Sequence, residues 1–331
     1  MRATSRSWCP IGIERREMRA IAEETFDGPI ALMDLPTPEI GAGEVLIRVR
    51  AAGVNPFDWK VADGALEDQM KHRFPLIPGF DAAGVIERVG AGVTELAEGD
   101  EVYGYLFKPV IGDGTYAEYV GAPAPIVARK PVTVGFAEAS ALPTPGLTAM
   151  DLVDAVDTRE GETILIVGAT GGVGSYATQL AARRGAHVIA TARRTNETLV
   201  RKLGAAETID HTTEDIVDAV RMAHPGGIDA VIDVASDREA LGRISTLVNE
   251  GGRLASSVYA ADVEGLARRG IGATNVSMQP ESRRLDKLSR MVDSGELSVR
   301  LDRTFPLEKA PQALEDRRTG HIRGKIVLLI H

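Results

Sequence analysis

The aliphatic run Ile164-Leu165-Ile166-Val167 passes directly into Gly168-Ala169-Thr170-Gly171-Gly172-Val173-Gly174. Residue types in this order can bind a diphosphate. Missing side chains at Gly171 and Gly172 let phosphate oxygens approach the backbone, where the free N–H groups and positive end of a helix attract their charge. Gly174 lets that helix lie close on the strand before it. A glycine turn that binds nothing is the competing reading. Against it, a buried strand, the turn, a helical stripe of Val173, Ala177, Leu180 and Ala181, a stop at Gly185 and a second strand over 187–191 follow in the order a dinucleotide fold requires. Ala169, Thr170, Gly171, Gly172, Val173 and Gly174 are therefore the expected cofactor-binding turn.

Charge at the end of the second strand indicates which dinucleotide. An NAD site normally places Asp or Glu there to accept from the ribose 2′-hydroxyl. This chain has Ala192-Arg193-Arg194, and no acid occurs between Gly174 and Glu197. Two guanidiniums suit a 2′-phosphate through charge-assisted hydrogen bonds, so NADPH is the expected cofactor. Two solvated surface arginines are the plainer alternative.

The turn needs a sheet to hold it. Candidate strands at 163–167, 187–191, 207–209, 230–234 and 253–257 alternate with helix-length segments, as in a doubly wound parallel sheet. The first, second and fourth are nearly continuous apolar runs, as expected where helices cover both faces. A helix is expected to start near Thr195 or Asn196 and stop at Gly204, and another to span about 280–293. Upstream, from Ile30 to about Gly121, short strands at 44–51, 82–89 and 101–104 between Gly and Pro turns predict a mostly antiparallel β domain. The closing strand 325–330 is assigned back to it. The expected division is 18–144 with 281–331 for this domain and 145–280 for the dinucleotide domain. Residues 1–17 read as a flexible extension, with Met18 opening the first strand.

Composition narrows the partners. With 331 residues, 44% of them hydrophobic, the chain can bury two cores. A net charge of −9 argues against nucleic acid or an anionic membrane surface as partner. Glycines interrupt the longest stretch free of charge and histidine, 163–182, so it reads as strand, turn and helix rather than a membrane span. The single cysteine, Cys9, forms no internal disulfide and fits a reducing cytoplasm.

Ordered motifs along the chain now make a family visible. They are Ala52-Gly53-Val54-Asn55-Pro56-Phe57-Asp58, Pro78-Gly79-Phe80-Asp81-Ala82-Ala83-Gly84, Gly99-Asp100-Glu101-Val102, Gly114-Thr115-Tyr116-Ala117-Glu118-Tyr119, Gly146-Leu147-Thr148-Ala149, Gly251-Gly252-Arg253 and Gly324-Lys325-Ile326-Val327, in addition to the glycine turn. From Met18 to Ile330 the chain resembles the zinc-free quinone oxidoreductase branch of the medium-chain dehydrogenase/reductase superfamily. The resemblance implies an α/β protein, a Rossmann-type doubly wound sheet joined to a GroES-like catalytic domain. The superfamily's zinc alcohol dehydrogenases carry Cys and His ligands in the neighbourhoods where this chain has Asn55 and Phe80. No histidine cluster at ligand spacing is visible either, so no metal site is expected.

The same resemblance implies that Asn55, Asp58 and Lys60 border the nicotinamide, with Lys60 placed to stabilise a developing oxyanion. A surface Asp58–Lys60 ion pair with Asn55 as a turn residue is the competing reading. Thr148 is implied near the nicotinamide ribose, and the backbone of Val234, Ala235, Ser256 and Ser257 along the nicotinamide. Lys325 is a further candidate for phosphate, His211 for the adenosine end, and Asp233 for fixing a turn. Tyr103, Tyr105, Tyr116 and Tyr119 read as core residues. The implied activity is hydride transfer from NADPH to a quinone or α,β-unsaturated carbonyl, by a homodimer. A binder of NADPH without turnover, and an alcohol or aldehyde dehydrogenase, are the alternatives. Specificity is expected to reside in loops such as 64–74 and 263–273.

Overall fold

The computed structural model describes residues 16–26, 28–320 and 324–331; most of the expected extension, residues 1–15, lies outside them. Arg16 is held by the ring of Tyr119 and by Glu87, and the first strand starts at Glu17, one residue before the expected Met18.

The chain opens with a hairpin of β1 (Glu17–Ala22) and β2 (Ala31–Pro36). Then come β3 (Glu44–Val54), α1 (Pro56–Ala62), β4 (Lys71–Ile77), β5 (Asp81–Val89), β6 (Glu101–Tyr105), β7 (Val110–Asp113), β8 (Tyr119–Pro123) and β9 (Val127–Arg129). Helices α2 (Phe136–Ser140) and α3 (Pro143–Ala155) lead into the alternating region. There β10 (Thr163–Val167), α4 (Gly172–Arg183), β11 (His187–Thr191), α5 (Glu197–Lys202), β12 (Glu207–Ile209), α6 (Ile216–Ala223) and β13 (Ile228–Asp233) are followed by α7 (Arg238–Ile244), β14 (Val248–Ser256), α8 (Val263–Ala267) and β15 (Gly272–Asn275). The tail holds α9 (Ser282–Asp293), β16 (Leu301–Pro306), α10 (Ala310–Arg318) and β17 (Lys325–Leu329).

Two large sheets result. β12-β11-β10-β13-β14-β15 form a six-stranded parallel sheet, the dinucleotide-binding order. Its central strand β10 is almost wholly apolar because alternate residues serve two cores. Ile164 and Ile166 pack on the α3, α4 and α9 side, while Leu165 and Val167 pack with Val217, Val220 and Leu241 on the other. The second sheet, β16-β17-β3-β5-β6-β9 with β8 on β3, is antiparallel except at β16–β17. The fold class expected from sequence is observed.

Three departures have local causes. α8 and the start of β15 occupy the segment read as a loop, because α8 buries only Leu266 and β15 no residue fully, too little to write a period. α10 stands where β texture was expected. Its inward residues are few, chiefly Ala310, Ala313 and Leu314, so no stripe announces it. The helix expected from Thr195 or Asn196 begins at Glu197 after a 3₁₀ turn over Arg194–Asn196.

Parallel pairing also gathers residues that sequence spacing keeps apart. β11 and β12 pair with Ile189 opposite Glu207, so Glu207 shares a face with His187, and the end of α6 brings His224 to the same point. Two histidines thus converge on one carboxylate, contrary to the expectation that none would cluster.

β3 and β5 pair so closely beside a register shift that a Cβ on Gly84 would lie 2.2 Å from the Arg48 carbonyl oxygen, a main-chain atom held by the sheet. Gly84→Ala is therefore expected to lower stability by about 2–3 kcal/mol. Urea unfolding of the variant is the check, and a loss within error of zero would contradict the packing.

Candidate active site at the junction of the two sheets

The glycine turn leaves β10 at Gly168, whose φ of +86° only glycine adopts without strain. Its N–H is held by the Thr191 hydroxyl at 2.9 Å, which anchors the turn to β11. Gly174 lies so close that an added Cβ would stand 2.2 Å from the Gly168 carbonyl oxygen. α4 therefore starts directly against the turn. Gly171 is its N-cap and offers no side chain, so the first N–H groups of the helix lack capping partners. At Gly171 an added Cβ would meet only the Gly168 oxygen, at 3.6 Å. An open backbone face with uncapped donors fits a pyrophosphate, and these residues would hold it.

Of the other expected cofactor residues, Val234 and Ala235 lie against this turn. Both follow β13, and their side chains pack 2.9 Å from where a Gly168 Cβ would be. Asp233 fixes the turn after β13, accepting from Ala235 and Ser236 N–H and from the Ser256 hydroxyl. The Ser256 hydroxyl is thereby committed inside the fold, and Ser257 donates its N–H to the Asp233 carbonyl. The Thr148 hydroxyl donates to Thr144 O at 2.7 Å.

Arg193 and Arg194 are exposed at the end of β11. An acid from beyond β12 joins them, since Asp210 accepts the Arg194 N–H at 2.9 Å. Its Oδ1 is turned to Thr212, whose N–H and hydroxyl hold the carboxyl below its ordinary range. His211 beside it is exposed.

A fully buried polar network lies next to the turn. Asp58 reaches back from α1 to the Asn55 N–H at 2.7 Å and accepts the Tyr116 hydroxyl at 2.8 Å. The Asn55 amide donates to Asp81 at 2.9 Å, and Asp81 also accepts the Thr144 N–H and hydroxyl at 3.0 and 2.6 Å. Lys325, from β17, closes the network by donating to the Asn55 amide oxygen and to Val54 O, with Asp81 at 3.8 Å. Its methylenes lie beside Gly172, where an added Cβ would stand 3.1 Å from Lys325 Cδ. The final strand thus carries a lysine from the GroES-like sheet to the dinucleotide turn.

This arrangement corrects two sequence expectations. Lys60 is exposed on the outer side of α1, its ammonium 5.7 Å from the Trp59 ring centroid, while Asp58 is turned inward. Helical geometry separates residues two apart, so Asp58 and Lys60 share neither a cleft nor an ion pair. The lysine that reaches Asn55 is Lys325, which only tertiary pairing of β17 with β3 brings there. The buried tyrosines behave as read, and the Tyr103 hydroxyl donates to Leu285 O at 2.6 Å.

An aromatic cluster escaped the sequence reading. Phe57 and Phe107, both half-buried, stand with Phe80 and Tyr105 at centroid separations of 5.2 to 6.2 Å. Phe57 and Phe80 lie inside motifs noted above; their clustering with residues 105 and 107 left no local signal.

Burial pushes the Asp58 carboxyl up to about 7 against the pull of the Asn55 and Tyr116 hydrogen bonds. Burial likewise raises Asp81 and lowers Lys325, each drawn back by the other. An unfolded aspartate ionises near 3.9, so between that pH and about 7 the folded state holds a proton the unfolded chain has lost. Stability from Asp58 is then full below this window and is lost as pH rises through it, by at most about 1.4 kcal/mol per unit. Asp58→Asn is expected to gain on the wild type steadily from pH 5 to 7 and to level off above 8 in urea unfolding. Parallel curves would contradict the buried, protonated carboxyl.

Residues 41–132 match the alcohol dehydrogenase GroES-like domain family, and residues 203–328 the zinc-binding dehydrogenase family. The chloroplast envelope quinone oxidoreductase homolog of Arabidopsis thaliana is 31% identical over 330 residues, covering 94% of this chain and 98% of that protein. The NADPH-dependent alkenal/one oxidoreductase of the same plant is 32% identical, covering 95% of this chain and 80% of that protein. The quinone oxidoreductase structure from Coxiella burnetii superposes with a TM-score of 0.86 at 32% identity, covering 96% of this chain and all of that one. With both sheets, the glycine turn and near full-length relatives in agreement, the chain belongs to the quinone oxidoreductase branch of the medium-chain dehydrogenase/reductase superfamily.

Proposed function

We propose that the protein is an NADPH-dependent reductase that delivers hydride to a quinone or α,β-unsaturated carbonyl without a catalytic zinc. The observation that carries this reading is the meeting of the uncapped α4 turn with the Lys325–Asn55–Asp81 network at Gly172. The bound nicotinamide would supply the hydride; the chain supplies position, charge and exclusion of water. Gly171 to Gly174 would hold the pyrophosphate, and Arg193 and Arg194 the 2′-phosphate. Asp210 does not undo that assignment, because Oδ1 faces Thr212 and Oδ2 the Arg194 N–H.

In this reading Asn55 is the polar group nearest the reacting centre. Asp81 and Lys325 fix both ends of its amide, while Asp58 fixes its backbone N–H. Asp58, Asp81 and Lys325 are positioning residues. Phe57, Phe80, Tyr105 and Phe107 supply an apolar aromatic surface of the kind a planar conjugated acceptor packs against. Asn55 and Phe80 stand in the neighbourhoods where the zinc enzymes carry ligands; an amide and a phenyl ring replace thiolate and imidazole. The relatives named for quinones and alkenals support an easily reduced, conjugated substrate.

Loss of NADPH absorbance on mixing with a panel of quinones and enones tests the activity; none consumed by folded protein would leave a coenzyme binder instead. Lys60→Met is expected to leave turnover within about twofold, whereas Lys325→Met, verified as folded, lowers it about tenfold or more by releasing Asn55. Equal effects of the two changes would contradict the assignment. Replacing Arg193 and Arg194 together by alanine is expected to raise KM for NADPH about tenfold or more and that for NADH by less than about twofold. Equal rises would remove the basis for preferring the phosphorylated coenzyme.

A further inference from the structure

A second group of ligand-type side chains lies at the opposite end of the parallel sheet from the dinucleotide turn. His187 opens β11, Glu207 opens β12, and His224 ends α6. Both imidazole Nε2 atoms face one oxygen, Glu207 Oε1, at 2.5 Å from His187 and 3.0 Å from His224. The ligand atoms of all three residues lie within 4.8 Å of one another, the one such His, Cys, Asp or Glu group among the described residues. Their side chains are 43%, 36% and 20% exposed, so an ion can reach them from solvent.

We propose that His187, Glu207 and His224 form a binding site for a divalent transition metal ion of the zinc type. Two imidazole nitrogens and one carboxylate oxygen are the donors such ions prefer, and they leave a position for water. Bond lengths of about 2.0–2.2 Å place tetrahedral ligands roughly 3.4 Å apart, so adjustments on the order of 1 Å in the two imidazole–carboxylate contacts and in the separation of the imidazoles admit the ion. Binding needs the lone pair of each Nε2 turned to the ion, so any proton carried there is released as the metal enters.

The site is separate from coenzyme chemistry. Parallel strands run from His187 toward the cofactor end, so about 16 Å of β11, at about 3.3 Å per residue, lies between His187 and Ala192. Its effect falls on the sheet edge. β12 is the terminal strand of the sheet and only three residues long. A metal would clip it to β11 on one side and to the end of α6 on the other.

Zinc chloride titrated calorimetrically into metal-free intact protein is the test. The expected result is one ion per chain with a dissociation constant on the order of micromolar. Glu207→Gln and His224→Gln are each expected to weaken binding about tenfold or more, while His72→Gln, far in sequence from the cluster, leaves it unchanged. Zinc at a concentration a few times the wild-type dissociation constant should raise the Tm of the wild type more than that of either variant, with NADPH affinity the same in all three. Cobalt(II) should give visible d–d bands in the wild type that His224→Gln abolishes. Absence of saturable zinc binding below a millimolar, or equal binding by the wild type and both variants, would overturn the proposal.

Discussion

The close contact of Gly174 with the Gly168 carbonyl is the constraint on which the rest of the molecule depends. It presses the start of α4 onto the end of β10 and leaves the first N–H groups of the helix facing open space at Gly171. Any side chain at 174 would push the helix away, and any strong N-cap side chain at 171 would occupy donors that a diphosphate needs. The six-stranded sheet holds these atoms rigid. Ile164 to Val167 serve a core on each face, so β10 cannot shift without disturbing both.

The second sheet contributes by bringing a charge to that turn. An ammonium taken out of water must be surrounded by acceptors, because an isolated buried charge is prohibitively costly. Lys325 meets that demand with Val54 O, the Asn55 amide oxygen and nearby Asp81. Satisfying Lys325 therefore fixes Asn55, and Asn55 in turn organises Asp58 and Tyr116 behind it. The network joins the end of β3, the start of β5, α3 and the final strand. A polar cluster of this kind specifies one arrangement of four segments that apolar packing alone would leave looser.

What the sequence made legible follows from the range of the interactions concerned. β10, β11 and β12 are found with the expected bounds; for β10 and β11, burial on two faces after a glycine turn writes those limits locally. The conformation of the glycine turn and the turn-fixing role of Asp233 are short-range features and equally readable. The resemblance points to Lys60 through the segment it shares with Asn55 and Asp58, yet the helix turns Lys60 outward and Asp58 inward. Only the pairing of β17 with β3 brings Lys325 to Asn55. The convergence of His187, Glu207 and His224 likewise depends on the register of β11 with β12 and on where α6 ends. α10 and β15 were illegible for a simpler reason: each buries too few apolar residues to write a period.

The central claim is that bare main chain at the start of α4 receives the coenzyme's pyrophosphate, and calorimetric titration of NADPH into the intact protein tests it most directly. The account expects saturable binding of one nucleotide per chain in the wild type and its loss in Gly171→Asp, whose carboxylate would cap the helix and repel phosphate. Folded wild-type protein that takes up no nucleotide, or a Gly171→Asp variant that binds it equally well, would contradict the account.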